Sequence, residues 1–138
     1  MPGNTAKKPL RIAIAGCKGT LGRALERAAR ARGFHVIGFD LPQVDVTQSG
    51  VLEKNAPDFN VLINAAAFSD IDAAETQRET AYDVNAEGAR ILARLCSTRL
   101  ARFVQISCDS VFDGQKPTPY GERDIPNPVS VYGASKLA

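Results

Sequence analysis

The chain has 138 residues, 44% hydrophobic and 23% charged, the composition of one folded domain and not of a disordered segment. Seventeen Lys and Arg against fifteen Asp and Glu leave a formal net charge of +2, too little to make nucleic acid or an anionic membrane the default partner. No apolar run approaches the ~20 residues of a membrane span, and no apolar stretch follows Met1-Pro2-Gly3-Asn4-Thr5, so a secretory signal is not expected. Cys17, Cys96 and Cys108, an odd number at wide spacings, suit reduced thiols in a cytoplasmic protein. One His and no close Cys pair leave no metal site to expect.

Residues 1–9, with Lys7, Lys8 and Pro9, read as a polar leader, and residues 10–138 as one domain. Four apolar runs, Leu10 to Ala15, His35 to Phe39, Val61 to Ile63 and Phe103 to Ile106, predict short strands. Runs without polar alternation suit a parallel sheet covered on both faces. Between the first two, Leu21, Ala24, Leu25, Ala28 and Ala29 recur at helical spacing, with Arg23, Glu26, Arg27 and Arg30 on the other face and Gly33 as a stop. Gln48 to Lys54 is read as one helical turn. A longer helix near Glu79 to Thr98 aligns Ala81, Val84, Gly88, Ile91 and Leu95. This order predicts an α/β domain with a doubly wound parallel sheet of Rossmann type. Asp113 to Pro128 holds four of the eight prolines and reads as a long ordered loop.

Directly after the first strand comes Gly16-Cys17-Lys18-Gly19-Thr20-Leu21-Gly22. Its glycines allow a tight turn, close approach to a pyrophosphate, and tight packing of the next helix, whose N-terminus offers free N–H groups. A glycine-rich turn without a ligand is the plain alternative. The strand before, the amphipathic helix after and the acid ending the next strand favour a dinucleotide. That acid is Asp40, which can accept from both ribose hydroxyls and repels a 2′-phosphate, so NADH is favoured over NADPH; Asp40 as a turn cap is the alternative. Lys18 and Arg23 lie near enough to touch a phosphate.

Tyr132-Gly133-Ala134-Ser135-Lys136 places a phenol and an ammonium one helical turn apart. A nearby cation favours phenolate, so the expectation is a Tyr132 brought down toward working pH and able to move a proton.

With these motifs the sequence resembles the extended short-chain dehydrogenase/reductases, and within them the dTDP-4-dehydrorhamnose reductase family. The resemblance is carried by Pro57-Asp58, Val61 to Phe68, Asp72-Ala73-Ala74-Glu75, Asn85-Ala86, Ser107 to Gly114, Pro119-Tyr120, Glu122, Asp124, Pro126, Pro128 and Tyr132 to Lys136. It implies reduction of a nucleotide-activated 4-keto-6-deoxy sugar, with hydride from NADH or NADPH and Tyr132 as proton donor. Lys136 is implied to hold the nicotinamide ribose. The pyrophosphate falls to Gly16, Lys18, Gly19, Thr20, Leu21 and Gly22, the adenosine ribose to Asp40, and the adenine to Asp45 and Val46. Ala65, Ala66, Ala67 and Ser69 are implied to wall the ribose and nicotinamide. A homodimer is implied for a full-length form.

Cys108 stands where the family places a Ser or Thr hydroxyl, so it is assigned the third catalytic position with weaker polarisation, since a thiol is a poor donor. The family also continues beyond Lys136 into a substrate-binding region, so the domain is expected to be an incomplete part of a longer enzyme. The nine residues from Ser130 onward are expected to fray unless something packs on them. Two other readings stand beside the reductase. One is a non-catalytic module like the regulatory subunit of methionine adenosyltransferase; the other is a nucleotide-sugar epimerase or dehydratase.

Overall fold

A computed structural model describes residues 9–50, 53 and 56–138. The elements run β1 (Arg11–Ala15), α1 (Thr20–Ala31), β2 (His35–Phe39), β3 (Val61–Asn64), α2 (Ile71–Thr76) and α3 (Arg78–Tyr82). A wide π turn (Asp83–Glu87) leads into α4 (Gly88–Thr98), then β4 (Arg102–Gln105), a 3-10 turn (Asp109–Val111) and α5 (Val131–Leu137). The leader, apart from Pro9, and residues 51, 52 and 54 of the turn expected over 48–54 fall outside the described residues, while Ser49, Gly50 and Glu53 of that turn are helical. No helix among the described residues is long and apolar enough to cross a membrane.

All strand pairs are parallel, in the order β2-β1-β3-β4. The chain steps from β1 outward to β2, then returns to the other side of β1 with β3. That reversal opens a crevice at the carboxyl ends of β1 and β3, where open α/β sheets bind ligands.

Alternation along β1 explains the three layers. Ala13 and Ala15 face one side and pack with Phe39, Phe59, Leu62, Ile91, Leu92, Leu95 and Cys96, the last four brought by α4. Ile12 and Ile14 face the other, with Val36 and the α1 side chains Leu25 and Ala29. The α1 stripe is narrower than its spacing suggests, because Ala24 and Ala28 are exposed. Gly88 brings α4 close to the β2 end, where an added Cβ would stand 2.8 Å from Val46 Cγ2.

Two sequence expectations are corrected. β4 is not covered on both faces: it pairs with β3 alone among the described residues, and Arg102, Val104 and Gln105 are exposed at the sheet edge. The end of the chain is not left to fray, because α5 packs on α2, α3, the π turn and the 3-10 turn. Its Gly133 and Ser135 are buried, and a Cβ at Gly133 would lie 2.1 Å from Ser110 O, so helix and turn touch backbone to backbone.

Candidate coenzyme and proton-transfer site

The glycine loop is built by close approach. Gly16 has φ +76°, and a Cβ there would sit 2.6 Å from Ala66 N in the segment leaving β3. Gly22 faces the loop itself: its Cβ would lie 2.1 Å from Gly16 O and 2.7 Å from Cys17 Cα. The third glycine therefore seats α1 on the loop, a different reason from the helix-to-sheet packing the spacing suggests.

At the start of α1, Gly19 accepts from Arg23 N at 3.0 Å, which leaves the N–H groups before Arg23 facing outward. No side chain caps this end, and its first turn carries no acid. An uncapped N-terminus of a 12-residue helix presents donors and positive dipole to an anion. The residues present thus fit a pyrophosphate.

Asp40 closes β2 and locks the loop. Its Oδ2 accepts from Lys18 N at 2.6 Å and its Oδ1 from Leu41 N at 2.9 Å. Lys18 Nζ reaches across to donate to Leu41 O at 2.5 Å and Gln43 Oε1 at 3.0 Å. Arg23 Nε donates to Lys18 O at 2.7 Å. The turn-cap reading of Asp40 is therefore realised, while Asp40 also lines the crevice beside the loop.

That crevice, about 140 Å³, is lined by Gly16, Asp40, Asp45, Val46, Ala66 and Ala67 together with Phe39, Leu41, Val44 and Val84. Six residues assigned to the coenzyme from sequence thus meet in one hollow. Asp45 also accepts from Thr47 N and Thr47 Oγ1, which fixes its turn. Gly19, Thr20 and Leu21 lie on the exposed rim; Ala65 is half-buried beside the wall, and Ser69 is exposed beyond it. A larger hollow, lined by Pro9, Leu10, Arg11, His35 and Asn60, lies at the opposite ends of the strands, away from the glycine loop.

The second cluster sits where β4 ends. Lys136 Nζ donates to Ile106 O at 2.8 Å, and Cys108 and Asp109 stand beside the Tyr132 phenol. Burial first, then Cys108 and Asp109, push the Tyr132 phenol upward. Burial lowers Lys136, opposed by Cys108. The expectation of a lowered Tyr132 is thus corrected: without a solvated cation against it, the half-buried phenol keeps its proton more tightly.

Two links within this site escaped the spacing argument. Asn85, in the π turn, accepts from Phe68 N at 2.9 Å and donates to Ser135 Oγ at 2.9 Å. Glu75 accepts from Val131 N at 2.8 Å. A polar Asn inside an apolar helical stripe was the available signal for the first; nothing local marks the second.

The family profile described as "RmlD substrate binding domain" matches residues 10–138. Although its description speaks of substrate, the matched residues here build the parallel sheet and the glycine loop. A dTDP-4-dehydrorhamnose reductase of Mycobacterium tuberculosis is 39% identical over 132 residues, covering 93% of this chain and 43% of its own length. A solved dTDP-4-dehydrorhamnose reductase from Clostridium acetobutylicum superposes with TM-score 0.89 at 38% identity, covering 93% of this chain and 46% of that one. One from Bacillus anthracis, in complex with NADP, has TM-score 0.89 at 33% identity, with 94% and 47% covered. The chain spans less than half the length of these relatives. On the profile match and on a shared Rossmann-type parallel sheet, it belongs to the dTDP-4-dehydrorhamnose reductase family.

Proposed function

We propose that this chain is the coenzyme-binding and proton-delivering part of a reductase acting on a nucleotide-activated 4-keto-6-deoxy sugar. One observation carries the reading: a single chain joins an uncapped helix N-terminus at the sheet's switch point to a buried-edge Tyr132 with Lys136 one turn away. The names of its relatives supply the substrate class.

A bound reduced nicotinamide supplies the hydride for such a reduction. The chain's own residues do the rest. The N–H groups at the start of α1 hold pyrophosphate, Asp40 accepts from the adenosine ribose, and Asp45 and Val46 flank the adenine. Ala65, Ala66, Ala67 and Ser69 form the wall beyond. Lys136, whose ammonium here donates to the Ile106 carbonyl, would hold the second ribose. Tyr132, held upward by burial, stays protonated at neutral pH and so is equipped to give its proton as charge develops on a ketone oxygen. Cys108 fills the third position with a weak donor.

Asp40 favours NADH, and Lys18 beside it keeps NADPH within reach. A second reading is a nucleotide-binding module without turnover, favoured by the thiol of Cys108 where a hydroxyl belongs. Titration with NADH and NADPH, read by nicotinamide fluorescence, tests the first step; saturable binding is expected, and its absence from a folded chain would overturn the coenzyme reading. Turnover of a dTDP-4-keto-6-deoxy sugar in a form carrying the full family length then separates the two readings. Cys108→Thr is expected to raise the rate about tenfold or more. No rate in either form would leave the binding module.

A further inference from the structure

α5 has seven residues, fewer than an isolated helix needs to persist in water, yet it carries both Tyr132 and Lys136. Its middle is clamped twice, by Asn85 on Ser135 and by Gly133 against the Ser110 carbonyl. Its first turn has a local cap, Ser130 Oγ accepting from Gly133 N at 3.0 Å. The N–H of Val131, the residue before Tyr132, goes elsewhere. It donates to Glu75 Oε1 at 2.8 Å, across 56 residues of sequence.

We propose that Glu75 is a positioning residue for the Tyr132–Lys136 pair, its carboxylate fixing the first turn of α5 and so the depth at which the Tyr132 phenol sits. This rests on the roles given to Tyr132 and Lys136 under Proposed function. The geometry gives Glu75 leverage. Gly133 and Ser135 act as a fulcrum in the middle of the helix, and Tyr132 lies between that fulcrum and the Val131 tie. Without the tie the first turn swings about the fulcrum, and Tyr132 swings with it. Sitting on α2, Glu75 also links the helix to the segment that leaves the β3 wall.

The titratable groups facing the phenol are Cys108 and Asp109, from the segment after β4. Burial and those neighbours raise it, so its titration reports where it sits. Tyrosine 13Cζ NMR, with Tyr132 assigned through Tyr132→Phe, therefore reads position in the free chain. In Glu75→Ala the Tyr132 titration is expected to fall toward the ordinary value of about 10, while Tyr82 and Tyr120 stay put. NADPH binding should weaken about fivefold, the loss of one helix cap, while ADP, which reaches only the β1–α1 side, binds as before. Glu75→Gln keeps an acceptor oxygen and is expected to restore both readings. A folded Glu75→Ala with unchanged Tyr132 titration and NADPH affinity overturns the proposal, as does a Glu75→Gln no better than Ala. Should Glu75→Ala unfold, Glu75→Asp, one methylene too short to reach Val131, carries the same expectations. A parent chain that binds neither NADPH nor ADP removes the coenzyme reading, and the Tyr132 titration still decides the role of Glu75.

Discussion

Asn85 donates its side-chain amide to Ser135 Oγ at 2.9 Å, tying the π turn before α4 to the middle of α5. The same amide accepts from Phe68 N at 2.9 Å and donates to Phe68 O at 3.1 Å, so three separate segments meet on one side chain. Ser135 passes its own proton to Tyr132 O at 2.8 Å. Asn85 is 4% exposed and Ser135 not at all, so water cannot replace a lost partner. Asn85→Ala strands the Phe68 backbone as well as Ser135 and is expected to cost about 3 kcal/mol. Ser135→Ala strands the Asn85 donor and takes one donor from the Tyr132 carbonyl but spares the Phe68 backbone, and about 1 kcal/mol is expected. Urea unfolding of both variants checks the order, and equal costs would mean that the Phe68 bonds contribute nothing.

Gly22→Ala and Gly33→Ala separate two uses of glycine. Gly33 has φ +78° and open space where a Cβ would go, so alanine there meets backbone strain alone, roughly 1 kcal/mol. At Gly22 the Cβ would stand 2.1 Å from Gly16 O, so α1 must lift off the loop. Lifting it misaims the N–H groups of the first turn. NADPH affinity measured by calorimetry should fall more than about tenfold in Gly22→Ala, the loss of a charge-assisted contact or more. It should hold in Gly33→Ala.

Much of this arrangement was legible in the sequence, and the physical reason is locality. The strand β2 is predicted over His35–Phe39, the bounds it has in the structure, because Val36, Ile37 and Phe39 form a short apolar run that the sheet and its helices cover at Val36 and Phe39. The glycine spacing and the acid after β2 are equally local, and Gly16 and Asp40, one from each, line one crevice. What stayed hidden depends on contacts far apart in the chain. Short α2 has no apolar period to read, and its Glu75 acquires meaning only through Val131. The direction of the Tyr132 shift depends on burial and on Cys108, neither of which follows from a four-residue spacing. β4 reads as a covered strand from Phe103, Val104 and Ile106, while its place at an edge of the described sheet depends on strand order.

Asp40 supports the loop as well as facing the crevice, and this changes what its removal should do. Were it only a ribose ligand, Asp40→Ala would weaken NADH and spare NADPH. Because it accepts from both Lys18 N and Leu41 N, alanine there also frees the loop. Both coenzymes are expected to bind about tenfold or more weakly, each lost bond being to a charged acceptor. Lys18→Met leaves the Lys18 N–H in place and removes only the ammonium that reaches Leu41 O and Gln43. It should weaken NADPH a few-fold and leave NADH nearly unchanged. Fluorescence titration of both variants with both coenzymes separates the two roles, and an Asp40→Ala that loses NADH alone would refute the support role.

Asp113 organises the proline-rich loop in the same manner, by satisfying donors that no regular element provides. Oδ1 accepts from Gln115 N at 3.0 Å and from the Tyr120 hydroxyl at 2.7 Å, and Oδ2 accepts from Asn127 Nδ2 at 2.8 Å. Tyr120 in turn stacks on Phe112 with centroids 4.2 Å apart. Those bonds, led by the Gln115 N–H, hold the carboxyl down at about 2. A carboxylate whose native value lies below its unfolded value near 3.9 stabilises the fold fully above that unfolded value. The contribution fades as pH falls through the native value. The loop should therefore loosen between about pH 4 and about pH 2, seen as loss of the near-ultraviolet signal of the Phe112–Tyr120 stack. Asp113→Asn, which puts an amide against three donors, should melt lower than the parent at neutral pH. The gap should narrow through the same acid window, and a gap that stays constant there would show that the Asp113 carboxylate does not hold the loop.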